Sequence, residues 1–272
     1  MCPTRTSVWT ASGLFTTITR RVGSGGPTIV CAQAGNVSTG AFDPLAEIAT
    51  IARDHGAWLH VDGAFGLWAA AGPELRDRAA GIELADSWSM DAHKWLNVPY
   101  DSGIAIVRDS QAHRAAMSAT AAYFVQAAGQ QRDSFEWVPE FSRRARGFTV
   151  YAALRSLGRR GAGELIERCC RLARLMADRL GASPGVKILN DVVLNQVLAR
   201  FHPPKGGDAD AFTNAVIARV QRDGTCWLGG TTWHGMAAMR ISVSNWSTTD
   251  DDIERSAAAI QRAAQEEGES QA

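Results

Sequence analysis

Ser87-Trp88-Ser89-Met90-Asp91-Ala92-His93-Lys94-Trp95-Leu96-Asn97 is the stretch whose reading decides the fold. One lysine stands there among mostly uncharged neighbours, after an apolar segment from Ile82 to Met90 and before another from Gly103 to Val107. A dry, aromatic-lined position disfavours an ammonium and leaves a neutral amine, the form that makes a Schiff base with an aldehyde. Upstream, Leu59-His60-Val61-Asp62-Gly63-Ala64-Phe65-Gly66 sets a lone carboxylate directly after an apolar run, which places Asp62 at the carboxyl end of a strand.

An amine and a carboxylate at the ends of neighbouring parallel strands are the two fixed points that a pyridoxal phosphate site needs. The amine holds the aldehyde, and the carboxylate keeps the ring nitrogen protonated so that the ring accepts electrons. Singly, each residue has a plainer reading. A lysine beside tryptophan is most often a surface residue, and an aspartate after a strand is most often a helix cap.

The wording around these residues resembles the group II pyridoxal-phosphate decarboxylases, the aromatic-L-amino-acid decarboxylase family. The stretches that carry the resemblance are Ser38-Thr39-Gly40-Ala41-Phe42-Asp43-Pro44-Leu45, His60-Val61-Asp62-Gly63-Ala64-Phe65, Ala85-Asp86-Ser87-Trp88 and His93-Lys94-Trp95-Leu96. It runs from about Gly26 to about Ala263. What it implies is an α/β, fold-type-I pyridoxal-phosphate-dependent transferase. Residues 26–145 would form a partial large domain on a parallel-type sheet, and residues 146–272 a connecting helix and a small C-terminal α+β domain. Residues 1–25 would be an N-terminal segment that the family does not match.

The chain itself agrees with that class. With 272 residues, 46% of them hydrophobic, it can bury a sizeable core. Its 28 basic and 28 acidic residues cancel, which argues against nucleic acid or an anionic membrane as partner. Cys2, Cys31, Cys169, Cys170 and Cys226 have no Cys-x-x-Cys spacing and fit reduced thiols in a cytoplasm. The histidines form no metal spacing. No apolar run reaches the ~20 residues of a membrane span, and residues 1–17 make a poor signal peptide.

Thr28 to Ala32 reads as a buried strand. Asp43 reads as the cap of a helix that carries Leu45, Ile48, Ile51 and Ala52 and stops at Gly56, and Trp58 to Val61 as the next strand. That is a right-handed βαβ unit, and its ligands bind beyond the strands' carboxyl ends. A short helix from Pro73 to Ala80 and strands at Ala85–Ser89 and Gly103–Val107 complete this part. Ser118 to Arg132 is small, polar and weakly patterned, the composition of a mobile active-site loop. Ser142-Arg143-Arg144-Ala145-Arg146-Gly147 reads as a helix start, which the resemblance places at a subunit interface. Gly163 precedes an amphipathic helix with Leu165, Cys169, Leu172, Met176 and Leu180 on one stripe, ended by Gly181. Further on, strands are expected at 186–189, 192–201, 226–228 and 239–243. Helices are expected at 209–223 and after a Thr249 cap.

The resemblance implies roles for particular residues. Lys94 looks like the Schiff-base lysine, Asp62 the ring-nitrogen partner and Ala64 the small residue under the ring. His93 looks like a residue near phosphate and substrate, with a backbone-bonded core histidine as the alternative. Asn36 falls where the family bonds the ring hydroxyl. Tyr123 falls where a loop tyrosine protonates the substrate carbon once carbon dioxide has left, with a hydrophobic anchor as the alternative. Arg240 lies where relatives of this fold hold a substrate carboxylate. Asp91 stands where some relatives have Asn near the phosphate, and a carboxylate there would repel the dianion, so it is left out of the site.

The activity implied is an amino-acid decarboxylase working as a homodimer on a small-molecule substrate with pyridoxal 5'-phosphate, without metal, membrane or nucleic acid. Transamination, lyase chemistry or oxidative deamination would use the same cofactor. A non-catalytic remnant is a further reading, because family members carry a long segment before the position of Gly26. The chain by itself is therefore expected to be a poor enzyme, a truncated product or a C-terminal part that needs a separate partner supplying the missing half.

Overall fold

A computed structural model of the chain describes residues 26–118 and 133–270. Its first sheet is built on β1 (Ile29–Gln33), β2 (Trp58–Asp62), β3 (Ser87–Asp91) and β4 (Gly103–Val107), in that spatial order. β1, β2 and β3 run parallel, while β4 pairs antiparallel with β3. The sheet is therefore mixed rather than wholly parallel at its β4 edge. A connection as short as residues 92–102 cannot carry the crossover that a parallel neighbour requires.

The period of two in β2 turns Leu59 and Val61 inward, both almost fully buried, and leaves Trp58, His60 and Asp62 on the opposite face. The inward face packs against α1 (Leu45–Asp54) through Leu45, Ile48, Ala49 and Ala52. Asp43 does not cap this helix, contrary to the sequence expectation. Residues 42–43 pair back onto β1, so Asp43 Oδ2 accepts the Gln33 N–H at 2.7 Å instead of a first-turn amide. Burial pushes its carboxyl above the ordinary range, opposed by that hydrogen bond.

The helix expected from Pro73 to Ala80 is only a 3₁₀ turn at Arg76–Ala79. Gly72 and Gly81 bound a stretch too short for helix propagation. α2 (Ser110–Met117) follows β4 and is capped by Asp109, which accepts the Gln111 and Ala112 N–H groups.

α3 (Arg146–Gly181) holds two helices that meet at a kink, as the sequence led one to expect, but the break falls at Gly158 and not at Gly163. The helical turns are interrupted at Gly158, whose φ of 64° and ψ of −178° lie outside the helical region. Gly163 lies within the helix at a close crossing, where a Cβ would stand 2.9 Å from the Ala71 carbonyl oxygen.

The second sheet runs β5 (Val186–Ile188), β6 (Gln196–Phe201), β8 (Met236–Ser242) and β7 (Gly229–Trp233), all antiparallel. β6 starts later than expected because Asn190 organises the preceding turn. Its Nδ2 donates to the Thr39 and Gln196 carbonyls, and its Oδ1 accepts the Leu198 N–H. β7 starts at Gly229, beyond the expected 226–228, and β8 starts at Met236, ahead of the expected 239.

α4 (Ala209–Asp223) has the expected bounds, with Asp208 capping it. α5 (Asp250–Ser270) opens on a reciprocal cap. Thr249 Oγ1 accepts the Asp252 N–H at 3.2 Å, and Asp252 Oδ2 accepts the Thr249 N–H at 2.9 Å. α3, α4 and α5 cover the sheet around Leu172, Leu180, Val197, Phe201, Val216 and Ile260. Leu180 is fully buried in that core. Leu180→Ala is expected to cost about 2–5 kcal/mol of unfolding free energy by leaving a cavity. Denaturant titration checks it, and a cost near zero would contradict this packing.

Candidate active site

The carboxyl ends of β1, β2 and β3 converge on one edge, and backbone hydrogen bonds stitch their loops together. The Ala34 N–H donates to the Asp62 carbonyl at 2.8 Å and the Gly63 N–H to the Ser89 carbonyl at 2.9 Å. The Asp91 N–H donates to the Ala64 carbonyl at 2.8 Å. A Cβ on Gly66 would stand 2.2 Å from the Ala34 carbonyl oxygen, so only glycine lets the β1 and β2 loops approach this closely. These contacts bring Asn36, Asp62, Ala64, His93 and Lys94 to the same edge.

Asp62 Oδ1 accepts the Ala64 N–H at 3.1 Å, which orients the carboxylate at the strand end. The turn after β3 is anchored from below. Trp95 is fully buried against Phe65, in a cluster that includes Trp68, Met90, Leu165 and Ile166, and the Trp68 indole N–H donates to the Asp91 carbonyl at 3.1 Å. Asn97, at φ 57°, donates to the Trp95 and Ser244 carbonyls and accepts the Trp246 N–H. The lysine turn is thus docked onto the loop that follows β8. Cys169 and Cys170 belong to the same core, where burial pushes the Cys169 thiol up and carries Cys170 to about 12, so neither is a reactive thiolate.

Lys94 itself does not sit in the dry, aromatic-lined position that the sequence suggested. Its side chain is 41% exposed, and its Nζ lies 3.0 Å from Asp91 Oδ2. Trp95 points into the core on the other side of the chain, so the adjacent aromatic does not cover the amine. His93 bonds the backbone and also faces the site edge. Its Nδ1 lies 3.2 Å from the Ser102 main chain, its Nε2 lies 3.7 Å from Asp91 Oδ2, and its ring stacks on Tyr100 at 4.6 Å.

Asn36 is engaged in its own turn. Its Oδ1 accepts from the Ser38 and Thr39 N–H groups and the Thr39 hydroxyl, and its Nδ2 donates to Gln33 Oε1. Arg240 reaches from β8 across to this turn and donates to the Val37 carbonyl at 3.1 Å. Tyr123 lies outside the described residues.

Two residues outside the expected set stand at this edge: Asp91, left out on grounds of phosphate repulsion, and Tyr100. The three-residue spacing from Asp91 to Lys94 was the available signal, since a turn brings such a pair within reach. Tyr100 carried none. It is held because Arg144 bonds both its carbonyl and Asp101, whose carboxyl Arg146 and Arg144 hold below the ordinary range. A cavity of about 360 Å³ lies elsewhere, at the start of α1, and none of the candidate residues lines it.

A mixed sheet with an amine and a carboxylate at the carboxyl ends of its parallel strands, followed by a small antiparallel domain, defines the fold-type-I pyridoxal-phosphate class. The comparisons carry this further. The pyridoxal-dependent decarboxylase conserved domain matches residues 7–202, so the chain belongs to that family. The matched range opens at residue 7, so residues 1–25 are not the unmatched segment expected from the sequence.

The chain is 30% identical over 239 residues to histidine decarboxylase of Mus musculus, covering 88% of this chain and 35% of that protein. It is 27% identical over 243 residues to phenylacetaldehyde synthase of Arabidopsis thaliana, covering 88% of this chain and 50% of that protein. The crystal structure of Oryza sativa TDC with PLP and tryptamine superposes with a TM-score of 0.87 at 24% identity, over 95% of this chain and 55% of that one. The chain therefore spans about a third to a half of the length of these curated relatives.

The family's cofactor is pyridoxal 5'-phosphate. The donor set on the sheet edge fits its two reactive ends. A primary amine that solvent reaches suits the aldehyde, and an oriented carboxylate on the neighbouring strand suits the ring nitrogen. Among the described residues there is no group of three metal-ligating side chains, and no helix is long and apolar enough to cross a membrane.

Proposed function

We propose that this chain carries the catalytic lysine of a pyridoxal-phosphate-dependent amino-acid decarboxylase, a carboxy-lyase of the aromatic-L-amino-acid type. One observation carries the reading. Lys94 and Asp62 stand on one sheet edge, in loops joined by the Ala64–Asp91 backbone bond, within the segment that matches the family.

Bound there, the cofactor would supply an electron sink for the pair left behind when carbon dioxide departs. Lys94 would hold its aldehyde end through Nζ. The Asp62 carboxylate would pair with the ring N–H, and Ala64 is small enough to let the ring lie close. His93, fixed by the Ser102 main chain and Tyr100, would position the substrate. Arg240 would bind the substrate carboxylate, which requires it to leave the Val37 carbonyl. Tyr123 would deliver the proton that completes the amine.

Phe148 and Tyr151, 74% and 63% exposed on the first half of α3, support a second copy of the chain docking there. A cytoplasmic setting, with its thiols reduced, belongs to the same reading.

Titration of the purified protein with pyridoxal phosphate, followed by product analysis with aromatic amino acids, tests the proposal. A visible absorption band and release of carbon dioxide with amine are expected. No band and no carbon dioxide would overturn it.

Decarboxylation coupled to oxidative deamination is the second reading, favoured by the relative named phenylacetaldehyde synthase. In it dioxygen and water are consumed, and aldehyde, carbon dioxide, ammonia and hydrogen peroxide are released. Tyr123→Phe separates the two. If Tyr123 supplies the proton, amine formation is expected to fall by about a hundredfold or more, with product diverted to aldehyde. Amine at the parent rate would exclude Tyr123 from that role.

A further inference from the structure

The reading of Lys94 as the cofactor's amine leaves its carboxylate partner unexplained. We propose that Asp91 is a counter-ion that controls the reactivity of Lys94: it holds the lysine nitrogen in an ion pair that an incoming aldehyde must displace. This rests on the function proposed above and assigns to the site a residue that the decarboxylation scheme does not use.

The geometry is specific. Asp91 ends β3 opposite Gly103 of β4, and its main chain is fixed on both sides, by the bond to the Ala64 carbonyl and by the Trp68 indole. Its side chain is 26% exposed and that of Lys94 41%, so the carboxylate is the better-anchored partner. Oδ2 faces the Lys94 Nζ at 3.0 Å and the His93 Nε2 at 3.7 Å. An ammonium offers three N–H donors to that oxygen. Attack on a carbonyl carbon needs a lone pair on nitrogen, which an ammonium bonded to this oxygen does not offer. Asp62 has a different assignment, since its Oδ1 is turned to its own loop through the Ala64 N–H.

The test exploits the fact that the chain has three lysines, Lys94, Lys187 and Lys205, so each can be followed by peptide mapping. Competitive acetylation with acetic anhydride forms an amide at nitrogen and releases acetate and a proton, and its rate reports the lone pair directly. In Asp91→Asn the rate at Lys94, relative to Lys187, is expected to rise about fivefold, the upper end for a part-exposed pair. Asp91→Glu keeps the charge and is expected to stay near the parent.

A second arm treats each protein with pyridoxal or with pyridoxal 5'-phosphate. A carbon–nitrogen double bond forms with loss of water, and borohydride supplies the hydride that fixes it. Both aldehydes are expected to label Lys94 faster in Asp91→Asn. The asparagine preserves both main-chain anchors, and an unchanged circular dichroism spectrum confirms that the variant folds.

An unchanged acetylation ratio overturns the inference. So does an increase confined to the phosphorylated aldehyde, because the carboxylate would then act on phosphate and not on the lysine. If acetylation rises as expected but neither aldehyde labels Lys94 in any variant, the counter-ion stands and the cofactor reading of Lys94 falls.

Discussion

Replacing Lys94 by alanine is expected to remove covalent cofactor attachment and to lower turnover by at least about a thousandfold. The amine lies on the edge where the β2 and β3 loops meet, and Lys187 and Lys205 lie in the second half of the chain, in β5 and beyond β6. Borohydride reduction with pyridoxal phosphate should therefore leave the pyridoxyl group on the Lys94 peptide alone. A label on Lys187 or Lys205 would refute the assignment. The fold should tolerate the change, because the Lys94 side chain is half open to solvent while the buried anchor of the turn is Trp95.

Asp62→Asn is expected to keep the cofactor and lose most of the activity. The substitution has the shape of the parent, so the bond from the Ala64 N–H to Oδ1 survives and the melting temperature should barely move. What disappears is the negative charge opposite the ring nitrogen. A hydrogen bond to a charged group contributes about 1.5–3 kcal/mol. At about 1.4 kcal/mol per tenfold this is a loss of about ten- to a hundredfold in turnover. Steady-state kinetics with matched cofactor occupancy measures it, and turnover near the parent's would show that Asp62 faces something other than the ring nitrogen.

Both expectations come from residues that local pattern makes visible. An apolar run, then a carboxylate, then a small-residue turn marks the end of β2 without any knowledge of the rest of the molecule. Asp91 shows the opposite case. Treating it as a neighbour of phosphate set it aside, yet the turn after β3 brings it against Lys94. Repulsion from a phosphate dianion argues Asp91 out of the site, whereas its attraction to the Lys94 ammonium exists only once the turn is folded. Asp43 failed for a related reason. A carboxylate two residues before a helix has several amides in reach, and pairing of residues 42–43 with β1 decided which one it took.

The sequence alone determined the β1–α1–β2 unit, the position of the lysine and carboxylate at strand ends, the bounds of α4 and the Thr249 cap of α5. Periodicity, capping chemistry and turn residues act over a few positions, so they survive without a partner in view. The direction of β4 was not among these, since the expected sheet was parallel in type and β4 pairs antiparallel with β3.

Tertiary structure decided the place of the break in α3, at Gly158, and the stacking of Tyr100 on His93. It also decided the exposure of Lys94 and the reach of Arg240 to the Val37 carbonyl across 203 residues of chain. Each depends on where one element lies relative to another. That placement is set by the shared burial of apolar faces far apart in the chain, a sum over many weak contacts that no short stretch of residues contains.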